Sequence, residues 1–118
     1  MNRFQKLVAA AKEGISEISP NDAVHEAGCG AATLIDVRSA EEWQAGHARG
    51  AKHLERGEIE IEIEEQVPDL DQRIICYCGG GSRSALVAES LQKMGYRNVR
   101  SMGGGFRAWQ EAGLSVAE

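Results

Sequence analysis

Short apolar, β-branched runs alternate along this chain with stretches of helical periodicity. Thr33-Leu34-Ile35-Asp36-Val37 reads as a buried strand, as do Arg73 to Tyr77 and Asn98 to Met102, with a shorter candidate from Ala51 to Leu54. Between them lie helix signals. Phe4, Leu7, Val8 and Ala11 fall on one face of an N-terminal amphipathic helix. Ser19-Pro20-Asn21-Asp22 supplies an N-cap, a proline at the first helical position and an acid in the first turn, and Gly28 stops that helix. Ser39-Ala40-Glu41-Glu42 is a capping-box pattern opening a short helix that carries Trp43 and ends at Gly46. Leu86, Val87, Ser90, Leu91 and Met94 keep helical spacing from Ser84 to Gly95, and a last short helix with Phe106 and Trp109 runs to Gly113. Strands alternating with helices predict an α/β domain with a mainly parallel sheet. One segment resists this reading: Ile59, Ile61 and Ile63 alternate with acids between Glu58 and Glu65, which is strand spacing in isolation.

Candidate chemistry sits where the third strand ends. Ile74-Ile75-Cys76-Tyr77-Cys78 is followed by Gly79-Gly80-Gly81-Ser82-Arg83-Ser84. A strand turning through a glycine-rich loop into a helix start leaves several N–H groups without intrahelical partners, at the positive end of the helix dipole. With a cysteine at the head of such a loop, the anion those groups attract can be its own thiolate, the form that acts as a nucleophile. Arg83 adds a permanent charge suited to a sulfonate, phosphate or carboxylate. In parallel α/β sheets ligands bind beyond the carboxyl ends of the strands, which is the position of Cys78.

Composition narrows the field. A length of 118 residues fits one domain, and a net charge of −5 gives no basic footprint for nucleic acid. No segment reaches the ~20 apolar residues of a membrane span, and Leu7 to Ala11 is too short for a signal-peptide core. Three cysteines without a CxxC pair, and three histidines off metal-ligand spacing, indicate neither a disulfide framework nor a metal or cofactor site. The expected compartment is the cytoplasm. Glu58, Glu60, Glu62, Glu64 and Glu65 read as a solvated face.

Four stretches match one family in order. Leu34-Ile35-Asp36-Val37-Arg38 with Glu41-Glu42-Trp43, Gly46-His47 and Gly50-Ala51 resembles the opening of rhodanese domains. Cys78 to Ser84 resembles their active-site loop, and Gly103-Gly104-Gly105-Phe106-Arg107-Ala108-Trp109 their closing segment. The resemblance runs from about Ile15 to Val116, so residues 1–14 are expected to be a helical extension and 15–118 the domain. It implies a rhodanese-like fold: a five-stranded parallel sheet with helices on both faces, within which Glu58 to Glu65 is a helix. It also implies a sulfurtransferase using a persulfide on Cys78, with thiosulfate or a protein persulfide as donor and a thiol or cyanide as acceptor. Four residues separate Cys78 from Arg83, the spacing of sulfur-transferring members rather than of the phosphatases on this fold. A persulfide carrier that turns over small donors poorly is the alternative, because no second cation stands inside the loop.

The expected roles follow. Cys78 is the nucleophile; Arg83 orients the donor, and Gly79, Gly80, Gly81, Ser82 and Ser84 line the substrate site, the glycines and Ser82 through their backbone. Asp36, Arg38 and His47 are structural, and Glu42 caps its helix. Cys76 is a core thiol on the same face as Cys78, Cys29 a surface thiol, and Trp43, Phe106 and Trp109 are core anchors. Ala48-Arg49 replaces the family's usual apolar-proline pair, and the arginine reads either as part of a freer turn or as a further cation near the pocket. The N-terminal helix must bury its apolar face on its own domain or against a second copy in a homodimer.

Overall fold

The computed structural model describes residues 1–118. In chain order the elements are α1 (Arg3–Glu13), β1 (Ser16–Ile18), α2 (Pro20–Gly28), β2 (Thr33–Asp36), α3 (Ala40–Ala45), β3 (His47–Ala48), β4 (Lys52–His53), α4 (Ile59–Gln66), β5 (Ile74–Tyr77), α5 (Ser82–Lys93), β6 (Val99–Met102), α6 (Gly105–Glu111) and β7 (Val116–Ala117). Five strands form one parallel sheet in the order β1-β6-β5-β2-β4. Strands β3 and β7 make a separate antiparallel pair. No helix is long and apolar enough to cross a membrane.

Strand alternation divides the core in two. Ile35, Val37, Ile74, Cys76, Cys78 and Val99 face α4 and α5, packing with Ile59, Ile63, Val87 and Leu91. Leu34, Ile75, Tyr77 and Met102 face the other way, against Ala23 of α2 and Phe106 and Trp109 of α6. Every residue of β5 is buried, as expected of a central parallel strand covered on both faces.

Segment 59–66 is a helix, as the family resemblance implied, and burial explains the misleading alternation. Ile59 and Ile63, four residues apart, share the inward face and are fully buried, whereas Ile61 is 82% exposed. Replacing Ile63 by alanine should therefore cost about 2–5 kcal/mol in urea unfolding, while Ile61→Ser should stay within about 0.5 kcal/mol of the parent. Equal losses at the two positions would contradict the helical register.

Three strands were not visible in the pattern. β1, β3 and β7 have two or three residues each, too few to show alternation. Helix α1 packs on α5 and buries Val8 and Ala11, so it folds onto its own domain. Phe4 and Leu7, placed by the sequence on the same apolar face, stay 45% and 56% exposed. Trp43 also departs from expectation. It is only half-buried and stacks on His47, with ring centroids 3.4 Å apart, and on His53 at 5.0 Å. Phe106 and Trp109 are core residues as expected.

Candidate active site

The end of β5 is fixed by a buried polar cluster. Asp36 accepts hydrogen bonds from Arg38 Nε (3.1 Å) and Nη2 (2.8 Å) and from the Tyr77 hydroxyl (2.6 Å). Arg38 Nη2 also donates to the Gly46 carbonyl at 2.7 Å, and the Ala48 N–H donates to Tyr77 Oη at 3.0 Å. Fully paired, these charges tie the ends of β2 and β5 to the turn after α3, which is the structural role the sequence assigned to Asp36 and Arg38. His47 braces that turn through Nδ1, 2.9 Å from the Trp43 carbonyl oxygen. Arg49 is no cation of this pocket: its guanidinium donates to Ser115 Oγ and the Val116 carbonyl, beside a separate cavity of about 310 Å³ lined by Val24, Ala27 and Trp109.

Cys78 follows directly, 1% exposed, and the loop wraps around its sulfur. The Gly81 N–H donates to Sγ at 3.1 Å and the Ser84 N–H at 3.3 Å, while Ser84 Oγ lies 3.5 Å away. Gly81 makes this possible with φ +97°, a left-handed conformation that brings the chain into α5 and leaves 3.2 Å between its missing Cβ and the Gly104 nitrogen. The loop carbonyls are drawn the opposite way: Cys78 O accepts from Phe106 N at 2.8 Å and Gly79 O from Arg107 N at 3.1 Å. The first turn of α6 thus absorbs the loop's acceptors, and the N–H groups are left for the sulfur.

The electrostatic outcome is opposite for two thiols on one strand face. Burial alone pushes the Cys78 thiol up, but hydrogen bonds from the Ser84 hydroxyl and from the Ser84, Gly81 and Gly80 N–H groups outweigh it and hold Cys78 below the ordinary thiol range. Cys76, two residues earlier, has the burial without those donors and the Cys78 sulfur nearby, and is pushed up to about 12. Iodoacetamide should therefore modify Cys78 with a pH midpoint below that of a free cysteine and spare Cys76 until the protein unfolds. A midpoint at or above the free-cysteine value would contradict the donor arrangement.

Of the residues expected at the site, Cys78, Gly80, Gly81 and Ser84 converge on one sulfur, and Gly79 braces the loop through its carbonyl. Arg83 stands at the rim with its Nη2 close to Gly79, and its side chain is 39% exposed. Ser82 opens α5 and is half-buried. Sequence reasoning missed Glu42 as a neighbour of this site. Ser39 caps α3 by accepting from the Glu42 N–H, and the Glu42 carboxylate, instead of closing the expected capping box on the Ser39 N–H, accepts from the Ser39 hydroxyl at 3.1 Å and places Oε1 3.9 Å from Arg83 Nη2. It also missed Ser101, whose Oγ is 2.8 Å from Ser84 Oγ. The available signal was a hydroxyl at an inward position of a strand otherwise packed with apolar side chains. Cys29 is exposed, and Cys76 is part of the core.

The rhodanese-like domain family matches residues 19–112. A thiosulfate sulfurtransferase of Actinobacillus succinogenes is 38% identical over 86% of this chain and 89% of its own length. Among solved structures, the polysulfide-sulfur transferase homodimer of Wolinella succinogenes is 30% identical with a TM-score of 0.83, covering 97% of this chain and 86% of that one. A Rhodopseudomonas palustris protein described as a possible tyrosine phosphatase is likewise 30% identical, with a TM-score of 0.86 and coverage of 99% and 96%. From the matched family, these relatives and the shared parallel-sheet fold, the chain belongs to the rhodanese-like domain family and is a rhodanese-type sulfurtransferase.

Proposed function

We propose that Cys78 carries a sulfane sulfur as a persulfide between a donor and a thiol or cyanide. The observation supporting this is the set of donors converging on a buried sulfur at the end of the central strand. In the first step the Cys78 thiolate attacks the outer sulfur of thiosulfate. A Cys78 S–S bond forms, the S–S bond of thiosulfate breaks, and sulfite leaves with the electron pair. In the second step an acceptor thiolate or cyanide attacks the terminal sulfur and Cys78 leaves as thiolate. The loop N–H groups favour the anionic sulfur at the start and end of both steps. Arg83 holds the sulfonate oxygens of the donor. Free thiols at Cys29, Cys76 and Cys78 fit a reducing compartment, and we place the reaction in the cytoplasm.

One observation favours the carrier variant, in which a protein persulfide loads Cys78 better than thiosulfate does. Arg83 shares its charge with Glu42, and the loop residues between Cys78 and Arg83 bring no second cation, so the grip on a dianion is weak. Intact-protein mass spectrometry after thiosulfate, with a cyanide chase, tests the reading. The expected result is one added sulfur, removed by cyanide with thiocyanate released. Slow loading from thiosulfate and fast loading from a protein persulfide would select the carrier. No added sulfur from either source, with hydrolysis of a phosphate ester instead, would overturn both.

A further inference from the structure

We propose that Ser101 is a positioning residue for the sulfur nucleophile: its buried hydroxyl donates to Ser84 Oγ and so directs the single Ser84 proton at Cys78. The inference rests on Cys78 being the nucleophile and goes beyond the loop that delivers it.

Ser101 lies in β6, next to β5 in the sheet, and points into the same layer as Cys76 and Cys78. Its neighbours on that face, Ile74, Cys76 and Val99, are apolar or weakly polar, and Ser101 is fully buried. A hydroxyl in such surroundings has to be hydrogen-bonded, and its partner here is Ser84 Oγ at 2.8 Å. Ser84 Oγ is in turn 3.5 Å from Cys78 Sγ. Three groups therefore form a line, sulfur, Ser84 and Ser101, with only one proton on each hydroxyl.

The polarity of the line depends on the sulfur. A thiolate can only accept, so Ser84 donates to it and Ser101 must donate to Ser84. A thiol can donate to Ser84, which is then free to donate to Ser101. The second hydroxyl thus keeps Ser84 satisfied in both states. Without Ser101, Ser84 loses its donor when the sulfur is anionic, and its proton is free to turn to the carbonyl one helical turn back, as helix serines do. Donors in a line also polarise one another, which strengthens the bond that reaches the sulfur. The titratable groups beside this line are Arg83, whose Nη2 lies near Gly79, Glu42, whose Oε1 is 3.9 Å from that Nη2, and Cys76, a thiol pushed up by burial on the same strand face.

The test is the pH dependence of iodoacetamide modification of Cys78, followed by mass spectrometry in a Cys29→Ser background that removes the exposed thiol. Ser101→Ala should move the midpoint upward and slow modification near neutral pH about 3–10-fold, the effect of one hydrogen bond between neutral groups. Ser101→Thr, which keeps the hydroxyl, should restore the parent profile. In a Ser84→Ala background, Ser101→Ala should change nothing further. The proposal is overturned if Ser101→Ala leaves the profile in place, or if its effect is as large without Ser84 as with it. Thermal unfolding of each variant separates a shifted profile from a loosened fold. Loss of sulfur loading in the unsubstituted protein, with this alkylation pattern intact, would remove the transfer reading and leave the positioning role standing.

Discussion

Cys78→Ser should abolish sulfur loading, lowering transfer by at least about 10³-fold while leaving the fold intact. A serine hydroxyl is almost the same shape, and it can accept from the same Gly81 and Ser84 N–H groups. It is not ionised by them at neutral pH, because the loop shifts a thiol that starts within reach of neutrality and an alcohol starts far above it. Sulfur also forms the disulfide-type bond that the reaction needs, and oxygen does not. The measurement is mass gain after thiosulfate or a persulfide donor, with urea unfolding as the control. Loading retained by Cys78→Ser would move the chemistry to Cys29 or Cys76, neither of which has this donor set.

Gly105→Ala should also damage transfer, although its close approach is to the loop backbone and not to a side chain. Its φ is +58°, and an added Cβ would lie 2.5 Å from Cys78 O and 2.7 Å from the carbonyl carbon and oxygen of Gly79. Those are backbone atoms, so relief requires α6 or the loop to move. The left-handed conformation costs about 1–2 kcal/mol for alanine, and forced repacking about 1–3 kcal/mol more. Displacement breaks the bonds from Phe106 N and Arg107 N that turn the loop carbonyls away from the sulfur. A shift of about 1 Å there is expected to reduce transfer roughly 10²-fold. Gly80→Ala is the comparison for stability: nothing lies within 4 Å of its missing Cβ, so unfolding should stay within about 0.5 kcal/mol of the parent. An unchanged urea midpoint for Gly105→Ala would show that the close approach is not what selects glycine.

Most of the framework was legible in the residues. Leu34 to Val37, Ile74 to Tyr77 and Val99 to Met102 announce themselves by β-branched and apolar character, and the caps at Ser19 and Ser39 mark helix starts that the structure places within a residue. The candidate site was legible too: glycine, cysteine and arginine at that spacing point to a loop of N–H donors around a thiol, and such donors surround the Cys78 sulfur. What escaped was anything depending on contacts distant in sequence. β1 has three residues and exists because β6 offers it a parallel edge. Trp43 reads as core by composition, but two histidines, four and ten residues later, stack on its ring and leave it half-buried. The service that α6 renders to the Cys78 loop depends on Phe106 N and Arg107 N, some 28 residues from the carbonyls they bind. Period and propensity report on neighbours along the chain, and hydrogen bonds of this kind leave no local trace.

If sulfur passes through Cys78 as proposed, the position of that residue at the end of β5 has a bearing on how it changes hands. β5 is the middle strand of five, paired on both sides and buried throughout, and Cys78 is its next residue, held by the start of α5 and tied to α6. Amides in such a place exchange with solvent only when the whole domain opens. A sulfur mounted there has no swinging arm. With Cys78 only 1% exposed, a thiol acceptor in the proposed transfer would have to enter the loop to reach it. Reach and selectivity in the handover are therefore properties of the visitor's shape, with the host acting as a fixed socket.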